Sequence, residues 1–590
     1  MKNPPVCRLC CTEDAKIAPV HFCRAIARRH ESSPVTSMMT QGITGSVVRK
    51  VHSVGMFFRR VVTLALIRLN RSEGPHQDYD PATHRLGRLL LRPTLLGFVA
   101  SCAILAGASQ PDSPFTLKSV PGAWWFGIPT PPASGIIPPP GQGLFLGVVA
   151  VYAGILLLLR AWYDIVMLCI RVRNIPYMRL WPVFVAWVVP LLIVAPLFSR
   201  DAYSYVAQGE LMAHHLNPYV YGPKVLGVST QFTRLTDPLW QWVTSPYGPM
   251  FLTLAGWTVD LSGHSPLVAV EGMRALALFG TVLIAFSVPV IAKSFKRDAA
   301  SAFAIAALNP LVLLHLVAGA HNDALMLGLL AFGYALHRKG YHVAGILCCA
   351  FAALVKVPAI LGAIYVGWEW LGPLAPPRDR IRPLMKAMAI SMVTMVAISE
   401  ALGLGWGWIS GLSNPDTVRS WLDPATGVAL FIGHLVGAIG LGDHTHVILT
   451  ICRGSALLLA VVISLWLLWN AQRVGSLRAL GFTLLAFVVL SPVVQPWYAA
   501  WGFVMLAPIA ETRLRRVVMF LSGISCFLQL PGGSVLVNEI TIADPIVVGV
   551  ACAALVALAV MLVSPRFRHR THLIEPVGPS QAESRDEEFV

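Results

Sequence analysis

Residues 198–223 read FSRDAYSYVAQGELMAHHLNPYVYGP. The stretch before them, 181–198, is 18 residues of unbroken apolar sequence, long enough to cross a bilayer core as a helix. It stops at Ser199-Arg200-Asp201, so a guanidinium and a carboxylate arrive where a membrane helix is expected to end. Tyr203, Tyr205, Gln208, Glu210, His214 and His215 follow, and the segment closes in turn residues, Asn217-Pro218 and Gly222-Pro223. A loop rich in acid, amide and phenol groups at the mouth of a membrane helix reads as a polar site on a membrane scaffold. The alternative is a solvated loop with an interfacial aromatic belt.

The composition agrees with the membrane reading. The chain has 590 residues, 56% hydrophobic and 13% charged, with mean hydropathy +0.66; soluble domains carry about 25% charged residues. The formal charge of +16 would suggest nucleic acid in a soluble protein. In a polytopic chain it reflects Lys and Arg retained on the cytoplasmic side, and no nucleic-acid partner is expected. The 11 cysteines form no metal-ligand pattern, and neither a metal nor another cofactor is expected. Residues 1–88 are basic, poorly patterned and without a signal peptide; they read as a partly disordered cytoplasmic tail. Residues 565–590 read as a second, short cytoplasmic tail. The expected fold is all-α and polytopic, with about 12–14 transmembrane helices over 89–564.

Basic clusters set the sidedness. Arg171, Arg173 and Arg179, then Lys293, Lys296 and Arg297, then Arg338-Lys339, Arg378 to Lys386, Arg473, Arg513 to Arg516, and Arg566 to Arg570 all belong inside. Residues 251–261 are then too short for a crossing, 299–318 is one outward span, and 342–371 holds two short passes joined at Lys356-Val357-Pro358. The weak segment 427–441 has no assigned crossing. This parity places Asp201, His321, Asp323, Lys356, Arg419, Gln495, Trp497 and Tyr498 on one side, outside the membrane.

Each of these has two readings. Asp201 is either a general base able to take a proton from a sugar hydroxyl, or a helix cap paired with Arg200. Either His321 and Asn322 bind a phosphate or sugar, with Asp323 on a sugar hydroxyl, or Asn322 or Asp323 caps the next helix. Lys356 either snorkels or neutralises a phosphate. Arg419 is a phosphate contact or a solvated charge. Gln495, Trp497 and Tyr498 form a sugar-stacking edge or an interfacial belt. Arg200, Tyr203 and Glu210 are further candidate sugar or acceptor contacts. A transporter or lipid flippase is the competing class; it would need inverted repeats and charges spread through the spans, and no such repeat is visible.

The segments SRDAYSYVAQGELMAHHLNPYVYGP (199–223), PYGPMFL (246–252), HLVAGAHNDALMLGL (315–329), GWGWISGL (405–412), VRSWLDP (418–424), GLGDHT (440–445) and VVQPWY (493–498) resemble the polyprenol-phosphomannose-dependent alpha-1,6-mannosyltransferases of mycolate-walled actinobacteria, and look closest to the MptB-type enzymes. The resemblance implies a GT-C glycosyltransferase fold with a large first-half periplasmic loop. It implies an inverting transfer of mannose from polyprenyl-phosphate mannose to a lipid-anchored mannan acceptor in lipomannan synthesis, outside the plasma membrane. It also implies that Asp201 is the base. Asp201 is followed by Ala202, so a pattern of two adjacent acids is not met, which counts against a metal role for the site. Lipid-linked arabinose or glucose is the alternative donor.

Overall fold

The computed structural model describes residues 85–110, 113–115, 142–411 and 419–533, with the short pieces 77–78, 124–125, 128–129, 535–536 and 538. The expectations for most of 1–88, for the Pro/Gly-rich stretch near Trp124-Trp125, for the last span and for the C-terminal tail fall largely or wholly outside these residues.

The described chain is helical: α1 (Arg85–Ala108), α2 (Gln142–Arg171), α3 (Trp181–Leu191), α4 (Asp201–Ala213), α5 (Pro249–Leu261), α6 (Pro266–Ser294), α7 (Ala299–Ala306), a π-helical turn (Val312–Ala318), α8 (Asp323–Arg338), α9 (His342–Ala353), α10 (Ile360–Glu369), α11 (Ile381–Ala401), α12 (Pro424–Ala438), α13 (Thr445–Trp469), α14 (Ser476–Leu490), α15 (Ala499–Leu506) and α16 (Thr512–Leu528). Among the described residues, extended structure amounts to two pairings of two residues each, Gln77–Asp78 beside Val172–Arg173 and Trp124–Trp125 beside Ile128–Pro129, and one isolated bridge between Gln529 and Val535. Five of the described helices are long and apolar enough to cross a membrane, or six if the bent pair Val312–Ala318 and Asp323–Arg338 is one span. Several shorter apolar helices accompany them. The protein is an all-α polytopic membrane protein.

Two expected spans are broken. The run 181–198 is helical only to Leu191. Pro196 disfavours helical geometry in the residue before it, and the released carbonyls are claimed by a buried guanidinium: Arg274 of α6 donates to Leu192 O at 2.9 Å and to Val194 O at 2.6 Å. An interior arginine thus replaces the missing helical hydrogen bonds, which cannot stay open in an apolar setting. The run 299–318 is also not one helix. It breaks at Asn309-Pro310, continues as the π-turn, and meets α8 at 113°.

α6 and α8 cross closely. A methyl added at Gly328 would run into the Gly280 backbone, and one at Gly280 into the Ala324 carbonyl, the small-residue contact that lets membrane helices approach. This crossing fixes the start of α8, where His321-Asn322-Asp323 lie. Further along, α9 and α10 are two short helices joined at Lys356-Val357-Pro358, and α12 fills the weak segment 427–441.

Lys293, Lys296, Arg297 and Arg515 gather around one cavity with the loop after α2. Arg274 and Lys293 lie 19 positions apart on α6, about 28 Å at helical rise, close to the thickness of a bilayer core. The basic loops and the Arg274 tether therefore mark two separate levels.

Candidate active site

Asp201 is the first residue of α4, where the helix dipole favours a carboxylate. Its backbone N–H donates to Ser199 Oγ at 3.0 Å. The chain reaches it through Phe198, buried and held at φ 64°, and reaches His321 through Ala320, buried at φ 54°. Both approaches to the site carry non-glycine residues in left-handed backbone, strain that only tight surroundings sustain.

The Asp201 side chain is 21% exposed and lines a cavity of about 640 Å³. Its Oδ2 lies 3.5 Å from His321 Nδ1. His321 is fully buried and stacks on Trp497, with ring centroids 4.0 Å apart. The Tyr205 hydroxyl sits 3.5 Å from the same Nδ1 and donates to Asn322 Oδ1 at 3.5 Å. Burial pushes the Asp201 carboxyl up, but the hydrogen bond and charge of His321, the charge of Lys356 and the Ser199 hydroxyl outweigh it and hold the group below its ordinary value.

Lys356 lines the same cavity. Its ammonium donates to Asp323 Oδ1 at 2.9 Å, and the Trp501 indole donates to that same oxygen at 2.7 Å. The rings of Tyr498, Trp501 and Tyr247 stand 4.3, 5.2 and 5.9 Å from Nζ, within cation–π range. The ammonium is held inside, in an ion pair with Asp323, and its charge also acts on the Asp201 carboxylate.

The expected site residues divide. Asp201, Arg200, Lys356, Arg419, Gln495, Trp497 and Tyr498 all line the cavity. Trp497 is 2% exposed, which excludes an interfacial belt for that ring. His321, Asn322 and Asp323 are buried behind the wall and do not line it: the 113° bend before α8 turns them toward Asp201, Tyr205, Lys356 and Trp501. Tyr203 is buried and also off the wall. Glu210, further along α4 from Asp201, points to His214 and His264 instead.

Sequence reasoning missed Arg274, Trp501 and Tyr247. Arg274 carried a signal, an ionisable residue within an apolar span. Trp501 follows Trp497 at helical spacing; Tyr247 gave no sign beyond its place in PYGPMFL. Asp423 was also missed. Fully buried, it accepts the Val494 N–H and ties the start of α12 to the loop carrying Gln495 and Trp497.

Several buried polar atoms on and behind this wall have no partner among the described residues: Arg200 Nε, Gln495 Oε1 and Trp497 Nε1 on it, and His321 Nε2, Asn322 Nδ2 and Asp323 Oδ2 behind it. A carboxylate and an ammonium facing one cavity, with unpaired donors and acceptors around it, can deprotonate a hydroxyl on one side and hold an anion on the other.

The model of the family described as "Alpha-(1->6)-mannopyranosyltransferase, N-terminal domain" matches residues 94–372, and that described as "MptB C-terminal domain" matches 425–563. Alpha-(1->6)-mannopyranosyltransferase A of Mycobacterium tuberculosis is 31% identical over 408 residues, covering 67% of this chain and 77% of the relative. A probable alpha-(1->6)-mannopyranosyltransferase of Mycolicibacterium smegmatis is 32% identical, covering 60% and 69%. Alpha-(1->6)-mannopyranosyltransferase B of Corynebacterium glutamicum is 30% identical, covering 62% and 64%. No solved structure matches the chain.

Proposed function

The chain belongs to the alpha-(1->6)-mannopyranosyltransferase family, and from that premise we propose that it moves mannose from polyprenyl-phosphate mannose to a lipid-anchored mannoside, at a site on the extracytoplasmic face. The protein is a membrane-embedded glycosyltransferase that performs mannosyl transfer; donor, acceptor and face are the proposal. The observation that carries it is that the Asp201 carboxylate and the Lys356 ammonium line one cavity.

In this reading the acceptor hydroxyl oxygen attacks the anomeric carbon of the donor. The bond from that carbon to the phosphate oxygen breaks on the opposite face, the configuration inverts, and polyprenyl phosphate leaves. Asp201 Oδ takes the hydroxyl proton. Its lowered basicity suits a proton released late, once the new bond is forming. The leaving phosphate gains a negative charge as the bond breaks, so a cation beside it stabilises the transition state more than the bound donor. Lys356 supplies that cation, with one donor fixed on Asp323 and the others available. Arg419 and Arg200 lie on the same wall and add positive potential. His321 holds Asp201 rather than the donor, and Trp497 and Tyr498 offer ring faces to sugar.

Basic loops gathered a bilayer's depth away from the Arg274 tether support the extracytoplasmic assignment. The purified protein, given a mannoside acceptor, is assayed with labelled polyprenyl-phosphate mannose and polyprenyl-phosphate arabinose in parallel. Label from the mannose donor alone is expected in the glycolipid product; transfer of arabinose with none of mannose would overturn the donor assignment.

A further inference from the structure

Three ligand-type side chains converge outside the lining of the Asp201 cavity, near the other end of α4 from Asp201. Glu210 and His214 are one turn apart at the C-terminal end of α4, on the same face. His264 reaches them from the turn between α5 and α6, held at φ 60°, a conformation histidine tolerates better than most side chains. Glu210 Oε1 is 3.0 Å from His214 Nε2, and Glu210 Oε2 is 2.8 Å from His264 Nδ1. The candidate donor atoms all lie within 4.8 Å of one another. The carboxylate is 8% exposed, the imidazoles 58% and 48%, so the cluster is anchored below and open above.

We infer that Glu210, His214 and His264 form a binding site for a divalent late first-row cation of the zinc class, clamping the end of α4 to the α5–α6 turn. Two imidazoles and one carboxylate match the ligand preference of Zn²⁺, whose bonds of about 2.0–2.2 Å put neighbouring donors roughly 3.3 Å apart. The present spacing approaches that with small side-chain movements. One carboxylate is too few oxygens for Ca²⁺ or Mg²⁺. The open side leaves a position for water. The cation would also face the negative end of the α4 dipole, with Asp260 adding negative charge near His264.

The clamp has a mechanical consequence. α4 and α5 meet backbone to backbone: a methyl at Gly209 would press on the Ala255 carbonyl, and Gly256 faces the Met212 stem. A cation at one end of this pair fixes the helix whose other end, about 18 Å away at helical rise, begins with Asp201. The ion is structural, and takes no part in bond making at the cavity.

The test uses the full-length protein in detergent, stripped with chelator, and Zn²⁺ alone as probe. Calorimetric titration is expected to show one saturable site, lost or weakened at least about tenfold in His264→Gln and in His214→Asn. Both residues are half exposed, so the fold is not at risk. Zn²⁺ is expected to raise the apparent melting temperature of the wild type by several degrees and of neither variant. Co²⁺ is expected to give a visible absorption band in the wild type that His264→Gln abolishes. No saturable zinc binding, or binding and thermal shift unchanged in both variants, would overturn the site and leave two histidine–glutamate hydrogen bonds.

Discussion

Lys356 Nζ and Asp323 Oδ1 are 2.9 Å apart at the join of α9 and α10, with Asp323 1% and Lys356 13% exposed. So enclosed a pair is costly to break from one side only. Asp323→Asn and Lys356→Met are each expected to lower unfolding stability by about 3–5 kcal/mol. The double variant is expected to fall short of their sum by about 1–3 kcal/mol. A double-mutant cycle by denaturation in detergent measures this, and simple additivity would mean that the pair contributes nothing beyond two separate residues.

Lys356→Met is also expected to act on turnover. It keeps the stem's packing and removes the charge, so kcat falls strongly, the donor constant rises less, and the acceptor constant stays put. Lys356→Arg recovers part of the rate, because the planar fork cannot reproduce the ammonium's position. Kinetics with both substrates varied decide it: a Met variant whose only defect is a raised acceptor constant moves the clamp to Arg419.

The Asp201 carboxyl is held below its ordinary value partly by the charge of Lys356. The wild-type acid limb of the pH–rate profile is therefore expected below the range of an ordinary aspartate. Removing the ammonium weakens that hold, so the limb moves to higher pH in Lys356→Met. A shift to lower pH, or none, would show that the two charges do not communicate.

Asp423 runs the other way. Burial pushes its carboxyl up to about 8 from an ordinary 3.8, with the Val494 N–H and Arg453 opposing. The native state thus holds the proton more tightly than the unfolded chain. The associated stability is complete below about pH 4 and is lost as the pH rises through about 8. Asp423→Asn keeps an acceptor for Val494 and cannot ionise, so its melting temperature is expected to decline less than the wild type's between about pH 5 and pH 8. An equal decline would assign the dependence to other groups.

Sidedness is testable at two exposed positions, Val228 and Leu374, 64% and 96% exposed. In intact spheroplasts, Val228→Cys is expected to react with a membrane-impermeant thiol reagent above the wild-type background, and Leu374→Cys is not. The reverse pattern would invert the topology.

Much of the site could be read from the sequence because charge in an apolar chain is conspicuous. Parity counted from basic loops put Asp201, Lys356, Arg419, Gln495, Trp497 and Tyr498 on one side, and all six line one cavity. What stayed hidden depends on helix breaks. An apolar run such as 181–198 looks the same whether its carbonyls bond within the helix or to Arg274. The π-turn before α8 has no hydrophobic period that marks it, so the bend turning His321 and Asp323 behind the wall was not legible. With 17 tryptophans in the chain, nothing singled out Trp501 as the indole that shares an oxygen of Asp323 with Lys356.

The central claim is that Asp201 takes the acceptor's proton. The measurement is the initial rate of label transfer from polyprenyl-phosphate mannose by Asp201→Asn, in protein shown by its melting temperature to be folded. The isosteric amide keeps the shape and the Ser199 contact but cannot accept the proton. The rate is expected to fall by at least about a hundredfold, the usual contribution of a general base. A variant retaining more than about a tenth of the wild-type rate, under roughly 1.4 kcal/mol of barrier, would contradict the assignment.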